Sequence, residues 1–131
     1  MALTPPADDG DRLWTVDAQL ARITVRQSRE TVLVRIDGEM DASNTTMVKA
    51  ALADAVAAPG LSLVVDLSGV EFIDSSSVSL LLLVARELEH RRWTFRVVAP
   101  PGAQVRRVLE LMGIGGTSVS DTVDDALDIA H

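Results

Sequence analysis

Apolar and polar positions alternate strictly in two neighbouring segments near the start of the chain. In ARITVRQ, residues 21–27, Ile23 and Val25 alternate with Arg22, Thr24 and Arg26; in TVLVRID, residues 31–37, Val32, Val34 and Ile36 fall on one side. A period of two marks half-buried strands, and the short polar link from Ser28 to Glu30 predicts a hairpin. Upstream, Trp14 and Val16 suggest an edge element, with Trp14 either covering a sheet edge or lying in an arm. The Pro, Asp and Gly of residues 1–12 predict a loose tail ahead of a single domain over residues 13–131.

After Asp37 the period changes. GEMDASNTT breaks the strand pattern, with Gly38 placed to turn the chain, and supplies helix-capping residues; from Val48 the positions Ala51, Leu52, Ala55 and Val56 recur at helical spacing up to Pro59-Gly60. LSLVVDLS, residues 61–68, has the dense hydrophobicity of a central strand. A second helix is predicted from about Ser76 to Glu89 on the stripe Val78, Leu81, Leu82, Ala85 and Leu88. WTFRVVA, residues 93–99, is a further strand, with Trp93 placed to close the core. Val105, Val108, Leu109 and Met112 define a third helix that Gly113 terminates in a left-handed conformation. A short strand near Thr117 to Val119 and a last helix complete the chain, with Asp121 or Thr122 as cap and Val123, Ala126, Leu127 and Ile129 inward. Strands alternating with helices predict an α/β fold: one mixed sheet of about four or five strands packed with about four helices.

Composition narrows the chemistry. The 131 residues are enough to bury a sizeable core, and with no cysteine there is neither a disulfide nor a thiolate metal site. Histidine occurs only at His90 and His131, which argues against a multi-histidine metal centre. The aspartates at 121, 124, 125 and 128 fit helix capping and solubility better than a cation cage, and no cofactor or metal is expected. A net charge of −7 disfavours nucleic acid and anionic membranes, and points to protein partners. Arg106 and Arg107 read as solvent-facing. No basic and apolar leader opens the chain, and its longest apolar run, LLLLVA, is too short to span a bilayer, so a cytoplasmic protein without membrane insertion is expected.

The chemistry concentrates at Asp74-Ser75-Ser76-Ser77, just past a predicted central strand and at the start of a helix. Three readings compete there. A serine can cap the helix by accepting a free backbone N–H. A phosphorylated serine would sit where helix N–H groups and the dipole favour negative charge. A catalytic serine would need a base, and His90 lies near the far end of the same helix. Leu80, Leu83 and Val84 widen the apolar sector of this helix, either toward a neighbouring helix or as a patch for a partner.

VVDLSGVEFIDSSS closely resembles the central signature of the STAS domain family, above all the bacterial anti-sigma factor antagonists, and GEMD at 38–41 looks like that class's Gly-Glu-Leu-Asp element. The resemblance covers roughly residues 20–130. It implies a regulatory phosphoprotein rather than an enzyme, which binds an anti-sigma factor that is also a serine kinase and so frees a sigma factor. Phosphorylation in an Asp-Ser-Ser/Thr-Gly motif weakens that binding, and a serine phosphatase reverses it. Carried over by motif, Asp74 positions the site and Ser76 is the phosphoacceptor, with Ser75 and Ser77 as alternates; Ser77 stands where the family usually has Gly.

The partner face implied by the resemblance comprises Gly38, Glu39, Met40 and Asp41 with Asp74, Ser75, Ser76, Ser77, Leu80 and Leu83. A monomer or weak dimer is expected. The competing expectation is a non-phosphorylated STAS adaptor in a signalling or lipid-transport complex.

Overall fold

The computed structural model describes residues 11–114 and 119–130. Strand β1 (Arg12–Ala18) pairs antiparallel with β2 (Ala21–Ser28), which pairs antiparallel with β3 (Thr31–Met40). Both links are two-residue turns, and Gln19 and Arg29 each take a positive φ, of 59° and 53°, which suits a tight hairpin. From β3 onward the sheet is parallel. Helix α1 (Thr45–Ala55) leads to β4 (Ser62–Ile73), α2 (Ser75–His90) to β5 (Thr94–Val98), and α3 (Gln104–Leu111) to β6 (Val119–Ser120), before α4 (Val123–Ala130).

The sheet order β1-β2-β3-β4-β5-β6 contains six strands, one more than the upper expectation. The addition is β1, whose outer edge pairs with no other strand among the described residues and whose alternation is weak: Trp14 and Val16 are half-buried against the core while Leu13, Thr15 and Asp17 face out. Arg12 therefore belongs to a strand rather than to a tail, Asp11 precedes it without regular structure, and residues 1–10 of the expected tail lie outside the described residues, as do Thr117 and the side chain of Ile129.

Each parallel crossover moves one strand in the same direction, so right-handed connections put α1, α2 and α3 on one face. Side-chain parity agrees: Leu63, Val65 and Leu67 of β4 join the main core with Val48, Leu52, Val78, Leu81, Leu88, Val105 and Leu109, whereas Val64 turns to the other face and meets Val98 and Ala126 beneath α4. Trp93 closes the main core at 9% exposure. Gly113 takes φ 96° at the end of α3, as its position predicted, and the Thr122 Oγ1 accepts the Asp125 N–H at the start of α4.

Two strands outrun their sequence signals. β3 continues through Gly38, Glu39 and Met40, and β4 continues from Gly69 to Ile73, with register shifts between Arg35/Asp37 and Gly38/Glu39. Gly and Glu in these stretches dilute the apolar pattern, but ladder pairing carries the chain through. Gly38 thus does not turn the chain. Its φ of 112° lies in the strand itself, and a Cβ there would come within 2.2 Å of the Leu20 carbonyl oxygen. The extensions matter because Met40 pairs with Ile73, so the next residues, Asp41 and Asp74, leave the sheet side by side.

Arg106 is also placed differently from its solvent-facing expectation. Its guanidinium donates to the Ala99 carbonyl at 2.9 Å and to Asp121 Oδ1 at 2.6 Å, tying α3 to the ends of β5 and β6. Arg107 is exposed as expected.

Candidate functional site

The tips of β3 and β4 and the first turns of α1 and α2 form one polar crest. Asp74 is at its centre, in extended conformation at the N-cap of α2. Its Oδ1 accepts the Ser77 N–H at 3.1 Å and the Ser76 hydroxyl at 2.6 Å, and its Oδ2 accepts the Ala42 N–H at 3.1 Å. The cap is therefore the aspartate, and the serine hydroxyls are released from that task. Partial burial of Asp74 pushes its carboxyl up, but the hydrogen bonds from Ser76, Ser77 and Ala42 outweigh this and hold it below its ordinary value.

The three serines have three environments. Ser75 is exposed; Ser76 is half-buried with its hydroxyl held by Asp74; Ser77 is 1% exposed within the first helical turn. Ser77 has no positive φ, so a right-handed helix accommodates it where a glycine was the expected residue. Of the three serines it is the most buried.

Across from Asp74, Asn44 fixes the loop after β3. Fully buried, it donates from Nδ2 to the carbonyls of Ala18 at 3.0 Å and Glu39 at 2.9 Å, and its Oδ1 accepts the Asp41 N–H at 3.1 Å. Asn44 occupies the N-cap position of α1 but makes no side-chain cap bond; the side chain stitches three backbone groups together instead. Its neighbour Ser43 is exposed, and its hydroxyl donates to Asp41 Oδ1 at 2.5 Å. In the sequence, Ser43 and Asn44 read only as helix-capping residues. An Asn among Ser and Thr reads as a generic cap signal, so nothing local distinguishes a loop clamp from a helix cap.

The expected partner face divides by burial. Glu39, Asp41, Asp74 and Ser76 are half-buried, Ser75 is exposed, and Leu83 is 58% exposed on the second turn beyond Ser76. Met40 at 0%, Ser77 at 1% and Leu80 at 4% sit in the interior beneath the face. Gly38 serves the backbone approach to Leu20. Among the described residues no group of acidic or histidine side chains could hold a metal ion, and no helix is long and apolar enough to cross a membrane. His90 ends α2, about 21 Å along the axis from Ser76 at 1.5 Å per residue, too far to activate that hydroxyl.

Known proteins resemble this chain in sequence and fold. The family described as Mlab, STAS domain matches residues 23–123. An anti-sigma F factor antagonist of Lysinibacillus sphaericus is 30% identical over 102 residues, 77% of this chain and 86% of that protein. The crystal structure of an anti-sigma factor antagonist from Mycobacterium paratuberculosis superposes with a TM-score of 0.70 at 28% identity, covering 96% of this chain and 98% of that one. The Bacillus cell fate determinant SpoIIAA, solved in its phosphorylated form, gives a TM-score of 0.66 at 27% identity, with 83% and 99% covered. The fold, the Asp-capped serine crest and these matches agree: the chain belongs to the STAS domain family, in its class of regulatory, non-catalytic anti-sigma factor antagonists.

Proposed function

We propose that the unmodified chain binds an anti-sigma factor that is also a serine kinase, thereby freeing a sigma factor, and that phosphorylation of Ser76 by this partner ends the complex until a serine phosphatase removes the phosphate. The observation that carries the reading is the bond from the Ser76 hydroxyl to Asp74 Oδ1 at 2.6 Å, on the first turn of α2 and beside the loop that Asp74 also holds. The related SpoIIAA, solved with phosphate attached, supports the same chemistry in this fold.

The physics gives the switch its direction. A phosphorylated Ser76 can no longer donate to Asp74, and a unit charge 4 Å from another of like sign is repelled by about 4 kcal/mol at an effective dielectric of about 20. The helix dipole returns only about 0.3–1 kcal/mol. The phosphate therefore turns away from Asp74 toward solvent, into the space a docked partner occupies, while the core beneath is untouched. Binding changes and the fold does not.

The test is incubation of the purified chain with Mg-ATP and the candidate anti-sigma kinases of its own cell, read by intact mass and site-resolved mass spectrometry. A phosphate on Ser76, lost in Ser76→Ala, supports the switch. A kinase that binds tightly and is active on other substrates, yet leaves Ser76 unmodified, overturns it and favours a constitutive adaptor.

A further inference from the structure

The Asp-x-Ser pattern that holds Ser76 occurs three times in the described residues, and each time the serine hydroxyl donates to the aspartate Oδ1. Ser43 meets Asp41 at 2.5 Å, Ser68 meets Asp66 at 2.6 Å, and Ser76 meets Asp74 at 2.6 Å. The three differ in where they lie. Ser68 is in the interior of β4, and Asp66 beside it is 3% exposed and ion-paired to Arg35 at 3.3 Å. Although Ser68 is exposed, it is held mid-strand, between the end of the β5 pairing at Asp66 and the stretch Gly69–Ile73 paired with β3, and a segment fixed in a sheet fits a kinase cleft less readily than a loop. Ser43 is on an exposed loop, one peptide from the Ala42 N–H that Asp74 holds at 3.1 Å. It is more exposed than Ser76 and presents its hydroxyl on the same crest.

We infer that Ser43 is a second phosphoacceptor, modified by the same ATP-dependent serine kinase that the proposed function assigns to Ser76; the inference rests on that reading. In the transfer the Ser43 Oγ forms a bond to the γ-phosphorus of ATP, the bond from that phosphorus to the β,γ-bridging oxygen breaks, ADP leaves, and the hydroxyl proton passes to the kinase's base. The loop backbone is anchored from within by Asn44, so Ser43 can be modified without unfolding the crest. A phosphate there meets the like charge of Asp41, as one on Ser76 meets Asp74, and so turns outward on the crest near the start of α1, whose first turn adds no further acidic residue. Two modified serines on one face make the release of the partner graded, each phosphate adding negative charge to the surface the partner must cover.

The experiment uses the full chain with Mg-ATP and the anti-sigma kinase that modifies it, comparing the unaltered chain, Ser76→Ala, Ser43→Ala, Ser68→Ala and the Ser43→Ala/Ser76→Ala pair by intact mass and site mapping. The expected result is a chain that accepts up to two phosphates, a Ser76→Ala variant that still accepts one at Ser43, no uptake by the double variant, and no change in Ser68→Ala. Phosphate on Ser76 alone, with none on Ser76→Ala or with the residue mapping elsewhere, overturns this inference and leaves the proposed function standing. No phosphate on any form from a kinase that binds the chain overturns both. Circular dichroism of each variant separates lost modification from lost fold.

Discussion

The Asp74 carboxylate accepts the Ala42 N–H at 3.1 Å, across 32 residues of sequence, while the same side chain caps α2 through Ser77. One aspartate thus joins the loop after β3 to the loop after β4. Replacing it by Ala removes the cap and leaves the Ala42 and Ser77 N–H groups without their acceptor. Asp74→Ala is expected to lower stability by about 1 kcal/mol, within the range of about 0.5–2 kcal/mol for lost caps, measured as a lower denaturant midpoint at unchanged slope.

The same residue sets a pH dependence. Its native carboxyl is held below its ordinary value, so the charged form is favoured by folding. That contribution is complete above the unfolded value of about 3.9 and is lost as pH falls through the lower native value. Asp74→Asn, which keeps capping ability but cannot ionise, should therefore be less stable than the native chain at pH 7, and the difference should shrink as pH falls through the lowered native value, at an acidic pH chosen for the second curve. Parallel denaturation curves at the two pH values check the sign.

Asn44→Ala strips hydrogen bonds from three backbone groups in a fully buried position. Each buried group left unpaired costs about 1–3 kcal/mol, partly relieved by local rearrangement, so a loss of about 2–4 kcal/mol is expected. The variant should also bind its partner less tightly, because the loop carrying Asp41 loses its anchor. Denaturant titration and a binding titration on the same preparation test both.

Gly38→Ala meets the Leu20 carbonyl oxygen and takes a residue with a side chain to φ 112°. Strain of about 1–3 kcal/mol adds to the clash, so a loss of at least about 2 kcal/mol is expected. Thermal unfolding reads it; a melting temperature equal to that of the native chain would mean that the strand extension beyond Asp37 is misplaced.

Leu80 and Leu83 should separate support from contact. Leu80→Ala, at a position 4% exposed, is expected to cost about 2–5 kcal/mol of stability. Leu83→Ala, at 58% exposure, should change stability by less than about 0.5 kcal/mol and act on partner affinity instead.

Much of this was legible in the sequence. The alternation around Ile23, Val25, Val32, Val34 and Ile36, the helical stripes of α1 to α3 and the Gly113 terminus all survive in the structure, because each buries its apolar face in the main core. The strand extensions were not legible. Glu39, Gly69 and Glu71 interrupt the apolar pattern, and only ladder pairing across β3 and β4 keeps these residues extended. The site was legible in part: the serine motif located the crest, but the capping role of Asp74 through Ser77 and the clamp by Asn44 depend on contacts between segments distant in sequence. Nor could the helical pattern alone tell which leucines of α2 face inward, since Leu80 to Leu83 are all apolar and only packing beside α1 separates them.

The central claim is that a charge at Ser76 changes binding while the fold stays put. Its most direct test is calorimetric titration of the anti-sigma partner with the unmodified chain and with the chain phosphorylated at Ser76, beside thermal melts of both. At least a tenfold weaker Kd for the phosphorylated form, about 1.4 kcal/mol or more, with melting temperatures within a few degrees of each other, is the predicted result. Equal affinities for the two forms, or weaker binding accompanied by a collapsed melting temperature, would contradict it.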